Sequence, residues 1–134
     1  MTDVVSVDEK GRYQLRLERH LAYQRADVWQ AVLELRRRSG RTHRCSHAAP
    51  PALLEYTDET SLVRWEVVED GPTRSTLVFT HRCGTRQDGI DDMGWWLTEL
   101  EVLADILDGH PVSDFHQRAT AMTSRCRCAF GVTP

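Results

Sequence analysis

Lysine is almost missing from this chain: of 17 basic residues, sixteen are arginine and one, Lys10, is lysine. The bias fits GC-rich bacterial coding and carries no mechanistic information. A surplus of charge is missing too. Seventeen Lys and Arg against 20 Asp and Glu leave a net charge of −3, so no global positive field points to nucleic acid. No apolar run approaches the ~18 residues of a membrane span. The opening "MTDVVSVDEKGR" lacks a basic-then-apolar leader. These absences predict a cytoplasmic protein with neither nucleic acid nor membrane as partner. Cysteine is sparse, at Cys45, Cys83, Cys126 and Cys128, and in a cytoplasmic chain disulfides are the weaker expectation. Zinc sites favour roughly two to four residues between paired ligands. "HRCSH" (His43, Cys45, His47) and "CRC" (Cys126, Cys128) offer one-residue spacing, so no metal and no cofactor is expected. Internal repeats and low-complexity segments are lacking as well.

What is present suits one globular domain. The 134 residues are 40% hydrophobic and 28% charged, enough to bury a core. Residues 1–10 read as a polar lead-in. "RYQLRLERHL" (12–21) alternates, with Tyr13, Leu15, Leu17 and Leu21 on one face, as a half-buried strand does. "YQRADVWQAVLELRRR" (23–38) reads as a helix with Asp27 early and arginines late, which suits the helix dipole. Its "RRRSGR" end reads as a solvated helix terminus. Residues 39–52, punctuated by Gly40 and Pro50-Pro51, resist assignment. "LLEYT" (53–57) and "SLVRWEVVE" (61–69) read as strands joined through Asp58, Glu59 and Thr60. After the turn signal "DGP" comes "TRSTLVFTHRC" (73–83), with Ser75, Leu77, Phe79, His81 and Cys83 predicted inward. "GTRQDG" (84–89) reads as a loop.

A helix is predicted over 91–108, ended by Gly109 and Pro111. At about 100° per residue, Trp96, Leu97, Leu100, Leu103, Ala104 and Leu107 make one stripe. Trp95, Val102 and Ile106 make a second, and Thr98, Glu101, Asp105 and Asp108 make a polar edge. A surface helix usually buries an arc little over ~100°; this one is apolar over roughly twice that, so more than one element must cover it. Ser113 is a candidate cap for a short helix in the tail, with Phe115, Ala119, Met122 and Cys126 at helical spacing. Antiparallel strands followed by one long helix predict an α+β fold, a curved sheet gripping the helix.

Three segments in order, "YQRADVWQAV", "PPALLEYTDETSLVRWEVVEDGPTRSTLVFTHRC" and "GWWLTELEVLADILDG", resemble the SRPBCC superfamily (START and birch-pollen-allergen-like folds), in its heat-shock ATPase-activator-homologue branch. The likeness covers roughly residues 11–109. It implies a helix-grip fold around a cavity, which leaves 1–10 as a lead-in and 110–134 as a tail whose short helix is expected to pack on the domain. Members of the superfamily bind apolar or amphipathic small molecules; some are polyketide cyclases and some sequester reactive metabolites in self-resistance. The branch supplies no catalytic motif to transfer. Family members carry several more strands between the first helix and the "LLEY" strand, where this chain has 17 residues, Arg36 to Ala52. A reduced number of strands is therefore expected, with an edge needing cover by the tail or a second subunit.

The expected ligand-binding set is Trp65, Phe79, His81, Met93, Trp96, Glu99 and Leu100, between the sheet and the long helix. Glu99 falls inside the apolar arc, where a carboxylate must pair or reach water; a partner such as Arg19, or a role as a polar anchor, are the two readings. His81 points inward and could face Glu99. No nucleophile motif flanks it, so no catalytic residue is assigned. The leading expectation is non-enzymatic binding of a small hydrophobic or amphipathic ligand. The alternatives are a protein-interaction module, chaperone-linked or homodimeric, and a cyclase-like enzyme using His81 and Glu99 as general acid and base.

Overall fold

A computed structural model describes residues 4–7, 9, 11–39, 44–57, 61–112 and 114–129. Strands β1 (Val4–Val7), β2 (Tyr13–Leu21), β3 (Arg44–Ala49), β4 (Leu53–Thr57), β5 (Leu62–Glu69) and β6 (Ser75–Cys83) form one antiparallel sheet in the order β1-β2-β6-β5-β4-β3. Helix α1 (Arg25–Ser39) follows β2, and α2 (Arg86–Asp108) and α3 (Phe115–Ala129) follow β6. The arrangement is α+β, a sheet gripping the long helix α2. No helix among the described residues is long and apolar enough to cross a membrane.

Alternation decides which side of the sheet is wet. Leu17 pairs with Phe79, and Trp65 pairs with Phe79 from the other side. These residues, with Tyr13, Leu15, Val63, Val67, Leu77 and the predicted inward set of β6, are buried. The intervening residues form a mostly polar outer face, where Arg64 lies 3.8 Å from Glu55 and 3.2 Å from Glu66, with Val68 and Val78 as apolar exceptions. A one-residue slip would exchange the two faces, so the apolar pattern pins the register.

Four elements depart from the sequence reading. Val4–Val7, read as polar lead-in, pair with β2. β3 occupies part of the unassigned stretch; "RCSHAA" carries no alternating apolar set and is exposed from Cys45 onward, which is why periodicity misses it. The segment thought to be short of strands thus supplies the sheet edge. α2 begins at Arg86 rather than near 91, because Thr85 caps it: its Oγ1 accepts from the Asp88 N–H at 3.1 Å. Gly89 looked like loop punctuation but sits inside the helix, where a Cβ would fall 1.9 Å from the Tyr13 ring. The tail helix is longer than expected, at 15 residues. The Asp58–Glu59–Thr60 connection, His43 and Ser113 lie outside the described residues.

The cover of the unusually apolar α2 is divided. Trp96 packs on the sheet through Phe79, at 4.9 Å between ring centroids. α1 and α3 also pack on α2. Thr98, expected on a polar edge, is fully buried, and its hydroxyl donates to the Gly94 carbonyl at 2.7 Å. α3 lies over that edge. Arg118 bridges Glu101 and Asp105, each at 3.1 Å, and Arg127 reaches Asp91 at 2.9 Å. Gly94 lets the backbones meet, since a Cβ there would stand 2.5 Å from the Thr123 Cα. Gly109, at φ 72°, ends α2 with its N–H on the Ile106 carbonyl, and the His110 N–H reaches that of Asp105, the left-handed termination that favours glycine.

Candidate functional site

Two neighbouring features on α2 hold the residues of interest. The first is a ring stack on the sheet side. Trp65 and Phe79 are 4.7 Å apart, Phe79 and Trp96 4.9 Å, and His81 and Trp96 5.3 Å, all tilted. Strand pairing sets Trp65 beside Phe79, and Trp65 donates its indole N–H to the Tyr56 hydroxyl at 3.3 Å. Met93 and Leu100 are buried and fall on the Trp96 stripe of α2.

The second feature is a groove of about 360 Å³. Trp95, Glu99 and Val102 of α2 line it, with Leu35 and Arg38 of α1 across from them; Val112 of the connecting segment and Phe115 at the start of α3 close one end. Its size falls within the roughly 300–1,000 Å³ of small-molecule sites. Trp95 meets Phe115 edge to face at 4.5 Å, a favoured aromatic geometry. The Trp95 indole N–H donates to Glu99 Oε1 at 3.1 Å, one helical turn along. Glu99 is 5% exposed, so its carboxylate belongs to the floor. The Arg38 side chain is 49% exposed and gives its Nε to Glu34 Oε1 at 2.9 Å, which sets it at the rim. Hydrogen bonds from Arg37 and Arg38 hold the Glu34 carboxyl down at about 2. Trp96 and Glu99, three residues apart, are neighbours on the helix surface, so the groove floor adjoins the ring stack.

Of the residues expected from sequence, Trp65, Phe79, His81 and Trp96 come together in the stack, and Glu99 lines the groove. Leu35, Arg38, Trp95, Val102, Val112 and Phe115 were not in the expected set. Trp95 and Val102 had a signal, the second apolar stripe beside the sheet-facing one. Leu35, Val112 and Phe115 come from separate segments that only the tertiary fold brings together.

The cysteines are free, with Cys45 and Cys128 exposed and Cys83 and Cys126 buried. Burial pushes the Cys83 thiol up to about 11 and raises Cys126 as well. Among the described residues no group of three or more His, Cys, Asp or Glu is placed to hold a metal ion.

No protein-family model matches the chain, and no curated protein matches it in sequence. Solved structures do match its fold. A conserved protein of unknown function from Enterococcus faecalis, EF2215, superposes with a TM-score of 0.72 at 14% identity, over 98% of this chain and 92% of that one. BPP1335 from Bordetella parapertussis gives 0.69 at 20% identity, over 95% and 94%. CalU16 from Micromonospora echinospora gives 0.68 at 14% identity, over 95% and 94%. The likeness runs nearly end to end, and what this chain shares with the three at these identities is the fold.

Proposed function

We propose that this protein binds a small apolar or amphipathic molecule in the groove between α1, α2 and the start of α3. One observation carries the reading: an apolar, aromatic-walled groove of about 360 Å³ with a nearly buried carboxylate, Glu99, at its floor. Apolar walls supply affinity through burial, at roughly 25 cal/mol per Å², and a few convergent polar groups orient the ligand. The aromatic stack behind Trp96 gives the floor a rigid backing. Sequestration or carriage of a metabolite follows from such a site without chemistry on the ligand.

The test is a groove-filling variant. Naphthalenemethanol, a compact apolar probe with one hydroxyl, is titrated into wild type and Val112→Trp by calorimetry. Val112 lies in the connection between helices, half-buried, so an indole there occupies the groove without opening the core. The reading expects binding to wild type and a loss of about tenfold or more, roughly 1.4 kcal/mol, in the variant. Equal binding by both proteins would place the ligand elsewhere.

A second reading, self-association, is favoured by β1. Val5 and Val7 pair with buried Leu15 and Tyr13 on the inner face, yet are 39% and 55% exposed. An exposed apolar edge strand invites pairing with another copy. Sedimentation of wild type and Val5→Lys tests it: a dimer that the lysine dissociates supports it, and a monomer at every concentration removes it.

A further inference from the structure

The groove continues along the seam between its two helices. Its lining includes Leu35 and Arg38 of α1 and Val102 of α2. Residues four apart are neighbours on a helix surface, and the neighbours one turn on are Ala31, Glu34 and Ile106. Those three line a second hollow of about 490 Å³, with Tyr23, Asp27 and Gln30 at its polar side. Resting on the reading of the groove as a ligand site, we propose that its ligand is an elongated single-chain amphiphile lying along the seam between α1 and α2. Its chain runs through the groove to Trp95, and its polar end sits in the second hollow.

The shape and polarity of the seam carry this class. Ala31, Leu35 and Val102 are buried and Ile106 is half-buried, so the floor is apolar through both hollows. The second stripe of α2, from Trp95 to Ile106, spans about 16 Å at about 1.5 Å per residue. A compact ring system occupies one hollow and leaves the other wet, whereas an extended chain meets the stripe along its length. The two ends differ. Trp95 and Phe115 meet at 4.5 Å in the groove, an aromatic wall suited to the end of an apolar chain. Asp27 and Gln30 are exposed and Tyr23 is half-buried, so the second hollow opens to water. The Gln30 amide both donates and accepts hydrogen bonds, which suits an uncharged polar end such as a hydroxyl.

A homologous series tests the length of the site. Straight-chain alkanols from butanol to decanol are titrated by calorimetry into wild type and Gln30→Trp, with naphthalenemethanol as the compact reference. Gln30 is exposed, so an indole there fills the second hollow without entering the core. Each buried methylene should raise affinity about fourfold. The proposal expects that rise to continue through decanol in wild type and to stop by hexanol in Gln30→Trp. Three results overturn it and leave the groove as a ligand site: a wild-type rise that levels off by hexanol, a decanol affinity unchanged in Gln30→Trp, or binding of naphthalenemethanol with no alkanol bound. If neither the alkanols nor naphthalenemethanol binds wild type, the reading of the groove itself fails and the proposal falls with it. Circular dichroism at the titration temperature confirms that folded proteins are compared. Should Gln30→Trp not fold, Asp27→Trp, exposed in the same hollow, takes its place with the same expected and overturning results.

Discussion

Replacing Gly94 with alanine puts local propensity and tertiary packing in direct opposition. Alanine is favoured over glycine inside a helix by about 1 kcal/mol, so α2 alone would gain from the change. The structure predicts a loss. A Cβ at 94 would stand 2.4 Å from both the Thr123 amide nitrogen and its hydroxyl, and 2.5 Å from its Cα. Two of those atoms are backbone of α3, so no side-chain rotation relieves the contact and the helices must part. Overpacking of this kind costs typically 1–3 kcal/mol. Separation would also strain the Arg118 bridge to Glu101 and Asp105 and the Trp95–Phe115 edge contact. Contacts this short with backbone atoms belong at the upper end of that range, so after the propensity gain is subtracted a net loss of about 2 kcal/mol remains, which lowers the midpoint by roughly 5–10 °C for a chain of this size. Gly84→Ala is the control, since nothing lies within 4 Å of its Cβ and its φ is not positive; it should be neutral or slightly stabilising. Thermal and urea denaturation of both variants against wild type decide the matter. A Gly94→Ala protein as stable as wild type or more so would refute the close seating of α3 on α2.

Other consequences are open to direct measurement. Trp96→Ala should cost about 3–5 kcal/mol, as for a large buried aromatic, whereas half-buried Trp95 should cost less in denaturation and more in calorimetric affinity for naphthalenemethanol. Arg118→Ala should cost no more than about 1 kcal/mol in urea unfolding, an effect that shrinks in high salt, because its ion pairs are partly exposed. Brief alkylation followed by mass spectrometry should modify Cys45 and Cys128 and spare Cys83 and Cys126. The Cys83 thiol also makes stability depend on pH. Its folded pKa of about 11 lies above the ordinary 9.0, so between those values the unfolded chain releases a proton that the folded chain keeps. Stability should therefore fall as pH rises through that window, and Cys83→Ser should flatten the decline.

The fold was legible wherever burial imposes a period. β2, β5 and β6 each bury alternate residues, and the inward side chains of β6 from Ser75 to Cys83 could be named in advance. The same logic placed Trp96 on the sheet. Legibility stopped where an element is held by its neighbours rather than by its own pattern. β3 is an exposed edge strand whose place depends on pairing with β4. The first turn of α2 is polar and contains Gly89, whose value lies in contact with Tyr13 rather than in propensity. Thr98 looked solvent-facing because nothing in the local sequence announces that α3 will lie over it. The groove shows the same division. Glu99 stood out as a charge in an apolar arc, and Trp95 and Val102 formed a visible stripe. Leu35, Val112 and Phe115 reach that stripe through the placement of α1 and α3, which no local pattern encodes.

The most direct measurement of the central claim is the indole region of a two-dimensional nitrogen–proton NMR spectrum during titration with naphthalenemethanol. Trp95 donates its indole N–H to Glu99 inside the groove, while Trp65 donates to Tyr56 within the ring stack. Ligand in the groove predicts a saturable shift of the Trp95 indole resonance with that of Trp65 nearly unmoved, and loss of the Trp95 shift in Val112→Trp. A spectrum in which Trp95 does not respond at any ligand concentration, or in which Trp65 moves and Trp95 stays, would contradict the account.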